Sequence, residues 1–381
     1  MAGQIIKRGD RKYLVRIYQG LNSQTHKRRY HNHMVNGTRK DAEKWLTQAL
    51  RRRDLGESLE PCALLFDEFL DQWLEMTVKP RVRERSYLDY RFYLKRYIRP
   101  AFGKKRLADL KPIDLQTLYA ELQQRGLSAR TIRFVHMLLG NALKQAVRWQ
   151  MIRQNPVAMV DPPKVVRHEM KSLTPEQARA FISALEGDPH GVVLAFALTT
   201  GARPEEYMAL KWSDIDWEAR TVTIRRALVW HYKPTRWYFS EPKTPRSRRT
   251  IPLSPTLLKQ LSEHKRRQAE ERLRAGSEWQ NNDLVFPKWH GGPLELATLR
   301  LWFRAALKRA EVPQHFRLYD LRHSCASLLM AEGLNPKVVS ERLGHASVAI
   351  TLDIYSHVSP GMQAEASERL ENLLFGKLAM P

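Results

Sequence analysis

Apolar residues in the first sixty positions follow a strand-like spacing and then a helical one. The segments Lys12 to Gln19 and Lys27 to Val35 are rich in Tyr, Val, Ile and Arg and are bounded by turn residues, which predicts strands. The sequence from Thr38 to Asp41 fits a capping box that opens an amphipathic helix. The pattern therefore predicts a small module of three strands and a helix over residues 1–58.

Residues 62–160 show a helical periodicity. Phe66, Phe69 and Leu70 share one face of a first helix, and a second helix over 84–98 carries four tyrosines among arginines and lysines. We interpret the tyrosines mainly as core residues and the arginines equally as DNA contacts or solvated charges. Two further helices are predicted over 112–124 and 128–150. The proline-rich stretch 161–168 cannot continue a helix and is predicted to be a linker.

Residues 169–381 alternate helical patterns with one predicted hairpin. Thr174 fits an N-cap, and the hairpin strands are expected at Thr221 to Val229 and Arg249 to Leu253, joined through 241–245. A last helix, predicted over 359–378, has an apolar strip that could dock on a neighbouring subunit or on its own domain. The expected fold class is mainly α with small antiparallel β-sheets, in several domains.

Charge narrows the possible functions. The chain of 381 residues has 64 Lys and Arg against 40 Asp and Glu, a formal net charge of +24, which favours a polyanionic partner. Residues 1–60 contribute 14 basic and 6 acidic side chains, which favours DNA docking by the first module.

No apolar run is long enough to cross a membrane, and Cys62 and Cys325 cannot form a disulfide framework. We expect a cytoplasmic protein associated with the bacterial nucleoid.

Several residues have the chemistry needed to cleave a phosphodiester. Such cleavage requires a nucleophile, cations beside the non-bridging oxygens and a proton for the departing oxygen. Arginine suits the second task because its planar fork matches two phosphate oxygens, so Arg203 and Arg322 are candidates. His345 could hydrogen-bond the phosphate. Lys243, expected at the hairpin tip, is a candidate proton donor, with Lys233 as its competitor.

Four stretches in a fixed order resemble the tyrosine recombinases, in particular phage- or transposon-type integrases. The matching stretches are Thr200 to Glu206 with Leu210 to Asp216, Pro242 to Leu253, Tyr319 to His323, and Leu343 to His357. The resemblance spans nearly the whole chain and implies a DNA-clamping architecture. The implied architecture comprises an arm-binding module at 1–58, a core-binding domain at 62–160 and a catalytic domain at 169–381.

The resemblance also implies residue roles. Tyr355 would attack the scissile phosphate to form a 3′-phosphotyrosyl link, while Arg203, Arg322 and His345 hold its oxygens and Lys243 protonates the leaving 5′ oxygen. Glu206 and His323 would support the site. Tyr319 stands where the family most often has His, which leaves open the group that accepts the proton of the nucleophile. No cofactor or metal is implied.

The resemblance implies double-stranded DNA as the partner, bound at core-type sites and at arm-type sites. It also implies a homotetramer on the DNA, which exchanges strands through a Holliday junction intermediate. A DNA-bending or directionality protein would assist integration or excision. Alternatives are a catalytically idle DNA-binding regulator and a type IB topoisomerase-like relaxing enzyme. A metal-dependent nuclease that uses Asp214 and Asp216 is a more distant alternative.

Overall fold

A computed structural model describes residues 3–21, 26–54, 63–166, 170–232, 235–241, 248–355, 367, 368, 370–372 and 374. Tertiary contacts divide the chain into two units, Met1–Arg167 and His168–Pro381. The first unit contains two hydrophobic clusters, one beneath the N-terminal sheet and one among the helices that follow. The second unit is built around one large cluster and a small satellite.

The N-terminal module is an antiparallel sheet covered on one face by a helix. Its elements are β1 (Gly3–Gly9), β2 (Lys12–Leu21), β3 (Arg28–Asn36) and α1 (Arg39–Asp54), with the strands in the order β1-β2-β3. Val15 and Ile17 of β2 are fully buried in the cluster that contains Ala42 and Ala49 of α1. Because side chains alternate along a strand, Arg16 and Tyr18 lie on the opposite face of the sheet.

Helices form the rest of the first unit. They are α2 (Phe66–Trp73), α3 (Glu84–Tyr93), α4 (Arg99–Phe102), α5 (Pro112–Gln124) and α6 (Ala129–Arg148), and π-helical turns extend α2 over 74–78 and α3 over 94–98. The side chain of Ser128 caps α6 by accepting a hydrogen bond from the Thr131 amide at 3.3 Å. The tyrosines of the α3 segment pack against the core, as their spacing indicated.

The second unit surrounds one almost fully buried helix. Its helices are α7 (Pro175–Ser183), α8 (Gly191–Thr200), α9 (Pro204–Tyr207), α10 (Pro255–Ala275), α11 (Leu296–Arg309), α12 (Asp320–Ala331), α13 (Pro336–Leu343) and α14 (Val348–Tyr355). Every residue of α8 except Thr199 is buried, which is why the helix is apolar on all sides. Of the final helix predicted over 359–378, the structure describes residues 367, 368, 370–372 and 374, which are helical, and the other positions lie outside the described residues.

The strands of the second unit differ from the single hairpin that the sequence predicted. They are β4 (Ile215–Asp216), β5 (Thr221–Ile224), β6 (Ala227–Tyr232), β7 (Thr235–Ser240) and β8 (Arg249–Pro252). β5 pairs with β4 on one side and with β8 on the other. β6 and β7, which lie between β5 and β8 in the sequence, form a separate two-stranded antiparallel ribbon. The predicted strand over 221–229 is interrupted at Arg226, whose guanidinium pairs with the buried carboxylate of Asp214. This long-range ion pair carries no signal in the local sequence.

The overall class is mainly α with small antiparallel sheets, which confirms the predicted fold class. Among the described residues, no helix is both long and apolar enough to span a bilayer.

Candidate active site

A tight turn after α8 places Arg203. Gly201 ends α8 in the left-handed conformation, with φ of 64°. A β-carbon at this position would lie 2.5 Å from Cδ2 of Leu343 and 3.2 Å from Sγ of Cys325, so only glycine fits. Arg203 follows as the N-cap of the short helix α9. The turn therefore sets the start of α9 directly against the end of α13.

One buried carboxylate organises two arginines. Nη1 of Arg203 donates to Oε1 of Glu206 at 2.7 Å, and the Arg203 amide donates to Oε2 at 2.9 Å. Arg249, at the start of β8, donates from Nη1 and Nη2 to the same two oxygens at 3.2 and 2.8 Å. Glu206 is only 5% exposed. Burial disfavours its charge, but the two arginines outweigh that effect and lower the pKa of Glu206.

Three arginine side chains donate hydrogen bonds to three consecutive backbone carbonyls at the C-terminal end of α13. Arg249 Nε donates to the Arg342 carbonyl at 2.6 Å, Arg322 Nη2 to the Leu343 carbonyl at 2.7 Å, and Arg203 Nη2 to the Gly344 carbonyl at 3.4 Å. The last carbonyls of a helix lack partners within the helix and form the negative end of its dipole. They therefore hold cationic side chains together that would otherwise repel one another.

Arg322 is the most deeply buried of the three. It lies on α12, is 2% exposed, and also donates from Nη1 to the Gly201 carbonyl at 2.8 Å. Burial and the neighbouring charge of Arg203 lower the pKa of Arg322 to about 10. The group therefore remains protonated at neutral pH. For Arg203, burial opposes the charge, but Glu206 and then Tyr319 outweigh it and raise its pKa.

His345 follows directly after these carbonyls. Gly344 ends α13 in the left-handed conformation, with φ of 67°, and turns the chain so that His345 begins the connection to α14. Burial, followed by the charges of Arg322 and Arg203, lowers the pKa of His345 to about 4. The imidazole is therefore neutral at physiological pH. Its Nδ1 lies 2.8 Å from Oγ1 of Thr351, a fully buried residue of α14.

Tyr319 and His323 occupy the first turn of α12. Tyr319 is its N-cap and is 39% exposed, and its ring centroid lies 5.4 Å from that of the buried His323. Burial lowers the pKa of His323 to about 4, although the charge of Asp320 acts in the opposite direction. Tyr319 is thus the accessible polar group beside Arg203, and His323 is a neutral residue packed behind it.

The structure brings together Arg203, Glu206, Tyr319, Arg322 and His345. The backbone of Tyr355 ends α14, but its side chain is outside the described part of the structure. Lys243 and its competitor Lys233 are likewise outside the described residues. Their places in the site remain predictions.

Arg249 and Thr351 are two residues of the site that were not predicted from the sequence. Arg249 belongs to the matched stretch 242–253, but the basic side chains crowded there gave no means of selecting it. Its distinguishing feature is the strand alternation of β8, in which positions 249 and 251 are buried while 250 and 252 are exposed. An arginine at a buried strand position needs a partner, and this rule could have found it.

The two aspartates considered for a nuclease have structural partners. The Asp214 carboxylate is buried, accepts the Lys211 amide at 2.9 Å and pairs with Arg226. Asp216 accepts the Ala219 amide at 2.8 Å in the turn before β5. Within the described ranges no group of three or more His, Cys, Asp or Glu side chains is arranged to hold a metal ion. These aspartates therefore support the fold around β4.

Taken together, the arrangement is a cluster of three buried or half-buried arginines with a single carboxylate and a neutral imidazole at its edge. One carboxylate cannot neutralise three guanidinium groups, so the cluster has an excess of positive charge. Such a cluster suits an anion that presents several oxygens, above all a phosphate. The fold and this cluster define a DNA-processing enzyme of the phosphoryl-transfer class.

Comparisons with known proteins agree with this class. The Phage integrase family model matches residues 171–362, and the model of the phage integrase N-terminal SAM-like domain matches residues 65–123. A protein named "Tyrosine recombinase XerC-like" from Caldanaerobacter subterraneus is 29% identical over 354 residues, covering 88% of this chain and 90% of that protein. The ICEBs1 integrase of Bacillus subtilis is 27% identical over 290 residues, covering 76% and 78%.

Solved structures share the fold. The Tn1549 transposon integrase in complex with transposon right end DNA matches with a TM-score of 0.69 and 22% identity, over 81% of this chain and 99% of that one. A lambda integrase tetramer bound to a Holliday junction matches with a TM-score of 0.56 and 18% identity, over 90% and 95%. The chain belongs to the phage integrase family, and it is a tyrosine site-specific recombinase that acts on DNA.

Proposed function

We propose that Tyr355 is the nucleophile of this recombinase. Its phenolic oxygen bonds to the scissile phosphorus while the bond to the 5′ oxygen breaks, which leaves a 3′-phosphotyrosyl link and a free 5′-hydroxyl. Lys243 supplies the proton to the 5′ oxygen. The proton of the phenol leaves to solvent, directly or through the Tyr319 hydroxyl. Attack by a 5′-hydroxyl on the same phosphorus reverses the step and rejoins the strand.

The observation that carries this proposal is the set of arginines on the last carbonyls of α13. Arg203 and Arg322 donate to adjacent carbonyls, of Gly344 and Leu343, so that their charged ends meet immediately beside His345. α14 follows after a connection of a few residues and ends at Tyr355. The two guanidinium groups stabilise charge on the phosphate oxygens and favour the phenolate of the nucleophile. The site therefore needs no metal ion for this role.

The biological reaction that fits best is the integration and excision of a phage or other mobile element. Relatives named integrase include the ICEBs1 protein and the Tn1549 transposon protein. We infer that this chain works as a homotetramer on two core-type sites and exchanges strands through a Holliday junction, as the state of the lambda integrase relative suggests. A DNA-bending or directionality protein would set the direction of the reaction.

The N-terminal module fits a second, arm-type DNA site. The face of its sheet opposite α1 carries Arg16 and Tyr30, with the guanidinium carbon 4.1 Å from the ring centroid. Residues 1–60 carry 14 basic and 6 acidic side chains. A charged, aromatic sheet face with its other face occupied by a helix suits docking on a phosphate backbone. Removal of residues 1–58 should therefore weaken arm-site binding while leaving core-site cleavage intact.

A nicked suicide substrate tests the nucleophile. The nick lets a short 5′-hydroxyl fragment diffuse away after attack, so the covalent protein–DNA adduct accumulates and can be measured on a denaturing gel. We expect adduct with the natural protein and none with Tyr355→Phe. Tyr13→Phe, which removes the same hydroxyl group from the N-terminal module, serves as the matched control. Equal adduct from Tyr355→Phe would exclude Tyr355 as the nucleophile.

Strand exchange separates the remaining alternatives. A recombinase joins two DNA molecules that carry its sites, whereas a type IB topoisomerase-like enzyme relaxes supercoils without requiring a second site. An idle DNA-binding regulator would bind DNA without forming an adduct. Recombinant product between two attachment sites, formed in EDTA, is the expected result.

A further inference from the structure

The hydrogen bond between His345 and Thr351 joins the phosphate-binding edge of the site to the helix of the nucleophile. His345 Nδ1 and Thr351 Oγ1 are 2.8 Å apart, and Thr351 is fully buried. Thr351 lies on α14, four residues before Tyr355. One turn of helix therefore separates the hydroxyl from the α-carbon of the proposed nucleophile.

The direction of this hydrogen bond follows from what each group needs. A threonine hydroxyl has one hydrogen to donate, and a neutral imidazole has one N–H and one acceptor nitrogen. Among the described residues, His345 Nδ1 is the hydrogen-bond partner of the Thr351 hydroxyl. If Nδ1 carried the proton, the hydroxyl hydrogen would be buried without an acceptor there, which is costly. The hydroxyl therefore donates to Nδ1.

The proton of the imidazole must then be on Nε2. Nδ1 is occupied as an acceptor, and the neutral ring has only one other nitrogen. Nε2 lies on the opposite side of the ring from Nδ1, and the described residues give it no hydrogen-bond partner, so its N–H can donate to a phosphate oxygen. A histidine in this state donates a hydrogen bond and has no lone pair available on Nε2 to remove a proton from Tyr355.

We propose that Thr351 is a positioning residue that holds His345 in the Nε2-protonated tautomer, so that His345 donates to one non-bridging oxygen of the scissile phosphate. This inference rests on the proposed function, because it assigns the phosphate to the same cluster. Since Thr351 belongs to α14, the hydroxyl reaches Nδ1 only when this helix is docked. The docking of the nucleophile helix and the donor state of His345 are thereby coupled.

Two variants separate the hydroxyl from the shape of the side chain. Thr351→Val keeps the branched shape and removes the hydroxyl, whereas Thr351→Ser keeps the hydroxyl and removes the methyl group. Losing one neutral hydrogen bond that orients a catalytic group should slow single-turnover cleavage by about tenfold in Thr351→Val. Thr351→Ser should stay within about threefold of the natural protein. Urea unfolding of both variants checks that the fold is retained.

Substrates with a single methylphosphonate at the scissile position give a readout that a purely structural role would not change. Each of the two stereoisomers lacks a different non-bridging oxygen. For the isomer that lacks the oxygen bound by His345, the penalty of Thr351→Val should disappear, and for the other isomer it should persist. This is the logic of a double-mutant cycle between a side chain and a substrate atom.

The outcomes are distinct. Equal penalties on both isomers would mean that Thr351 acts only through packing or helix docking and would overturn the proposal, as would Thr351→Val cleaving at the natural rate. Equal impairment of the Ser and Val variants would also overturn it, since the hydroxyl would then be irrelevant. The adduct formed by the natural protein and lost in Tyr355→Phe is the reference. If that reference fails, the proposed nucleophile is wrong, whatever the Thr351 variants show.

Discussion

Replacement of Arg249 by methionine tests the ionic network beneath the site. Methionine matches much of the length of arginine but removes three donors, two to Glu206 and one to the Arg342 carbonyl. Arg249 and Glu206 have side chains that are 6% and 5% exposed, so the lost interactions cannot be replaced fully by water. Glu206 would be left with Arg203 as its remaining charged partner.

The size of the effect follows from the burial of the pair. Removing one partner of a buried ion pair costs roughly 3–5 kcal/mol, because the other charge is left without compensation. Arg203 still contacts Glu206, so the lower end, about 3 kcal/mol, is expected. For a unit of this size that corresponds to a fall in Tm of about 6–12 °C. Arg248→Met is the matched control, since among the described residues Arg248 pairs with the exposed Glu241, and its loss should cost below about 1 kcal/mol.

The pH dependence of the effect has a definite sign. The folded protein lowers the pKa of Glu206 below its value in the unfolded chain. The stabilisation that this gives is present above the unfolded pKa, about 4.3, and is lost as the pH falls through the lower folded pKa. The difference in stability between the natural protein and Arg249→Met should therefore be largest at neutral pH and shrink below about pH 4.

Urea unfolding at pH 7 and at acid pH, followed by circular dichroism, measures these differences. Glu206→Gln in the Arg249→Met background should recover part of the stability, because it removes the charge left without its partner. Unfolding of Arg249→Met at the same urea concentration as Arg248→Met would contradict the stabilising role of the Arg249–Glu206 pair. A loss of stability that does not depend on pH would contradict it as well.

Four further predictions concern neighbouring parts of the site. Gly201→Ala should destabilise the second unit by about 1–3 kcal/mol in urea unfolding, because its β-carbon would lie 2.5 Å from Leu343 Cδ2 at a φ of 64°; unchanged stability would contradict the geometry. Arg322→Lys should slow adduct formation about 100-fold while binding to DNA is retained, since lysine cannot reproduce the fork. Tyr319→His should form adduct faster than Tyr319→Phe if a proton is relayed there, and equal rates would exclude that relay. Asp214→Asn should lower the free energy of unfolding, because it removes the buried partner of Arg226, and it should still form the covalent adduct. Adduct assays of this variant and of the natural protein in EDTA check that neither needs a metal ion.

Much of the fold was accessible from the sequence because the signals are local. The helical pattern over 128–150 and the apolar spacing of α2 predicted helices that the structure contains. The split of the predicted strand at Arg226 was not accessible, because Arg226 pairs there with the buried carboxylate of Asp214, twelve residues earlier in the chain, and that contact exists only in the folded protein. Strand preference continues through this position, so the local sequence does not mark the interruption.

For the site, the sequence by itself determined which residue types are available and in what order. Arg203, Tyr319, Arg322 and His345 lie in motifs whose spacing could be read directly, and Gly201 and Gly344 marked the turns that end α8 and α13. Local backbone preferences are properties of short segments, so the amino-acid sequence alone can reveal them.

Only the tertiary structure decided how these groups are held. The hydrogen bonds to the last carbonyls of α13 come from Arg249 and Arg203, which are 93 and 141 residues away along the chain. Carbonyl groups are the same in every residue, so no sequence pattern marks the ones that an arginine will bind. Which of many basic side chains becomes buried against a helix end depends on the packing of α8, α12, α13 and β8 around it, and that packing exists only in the folded protein.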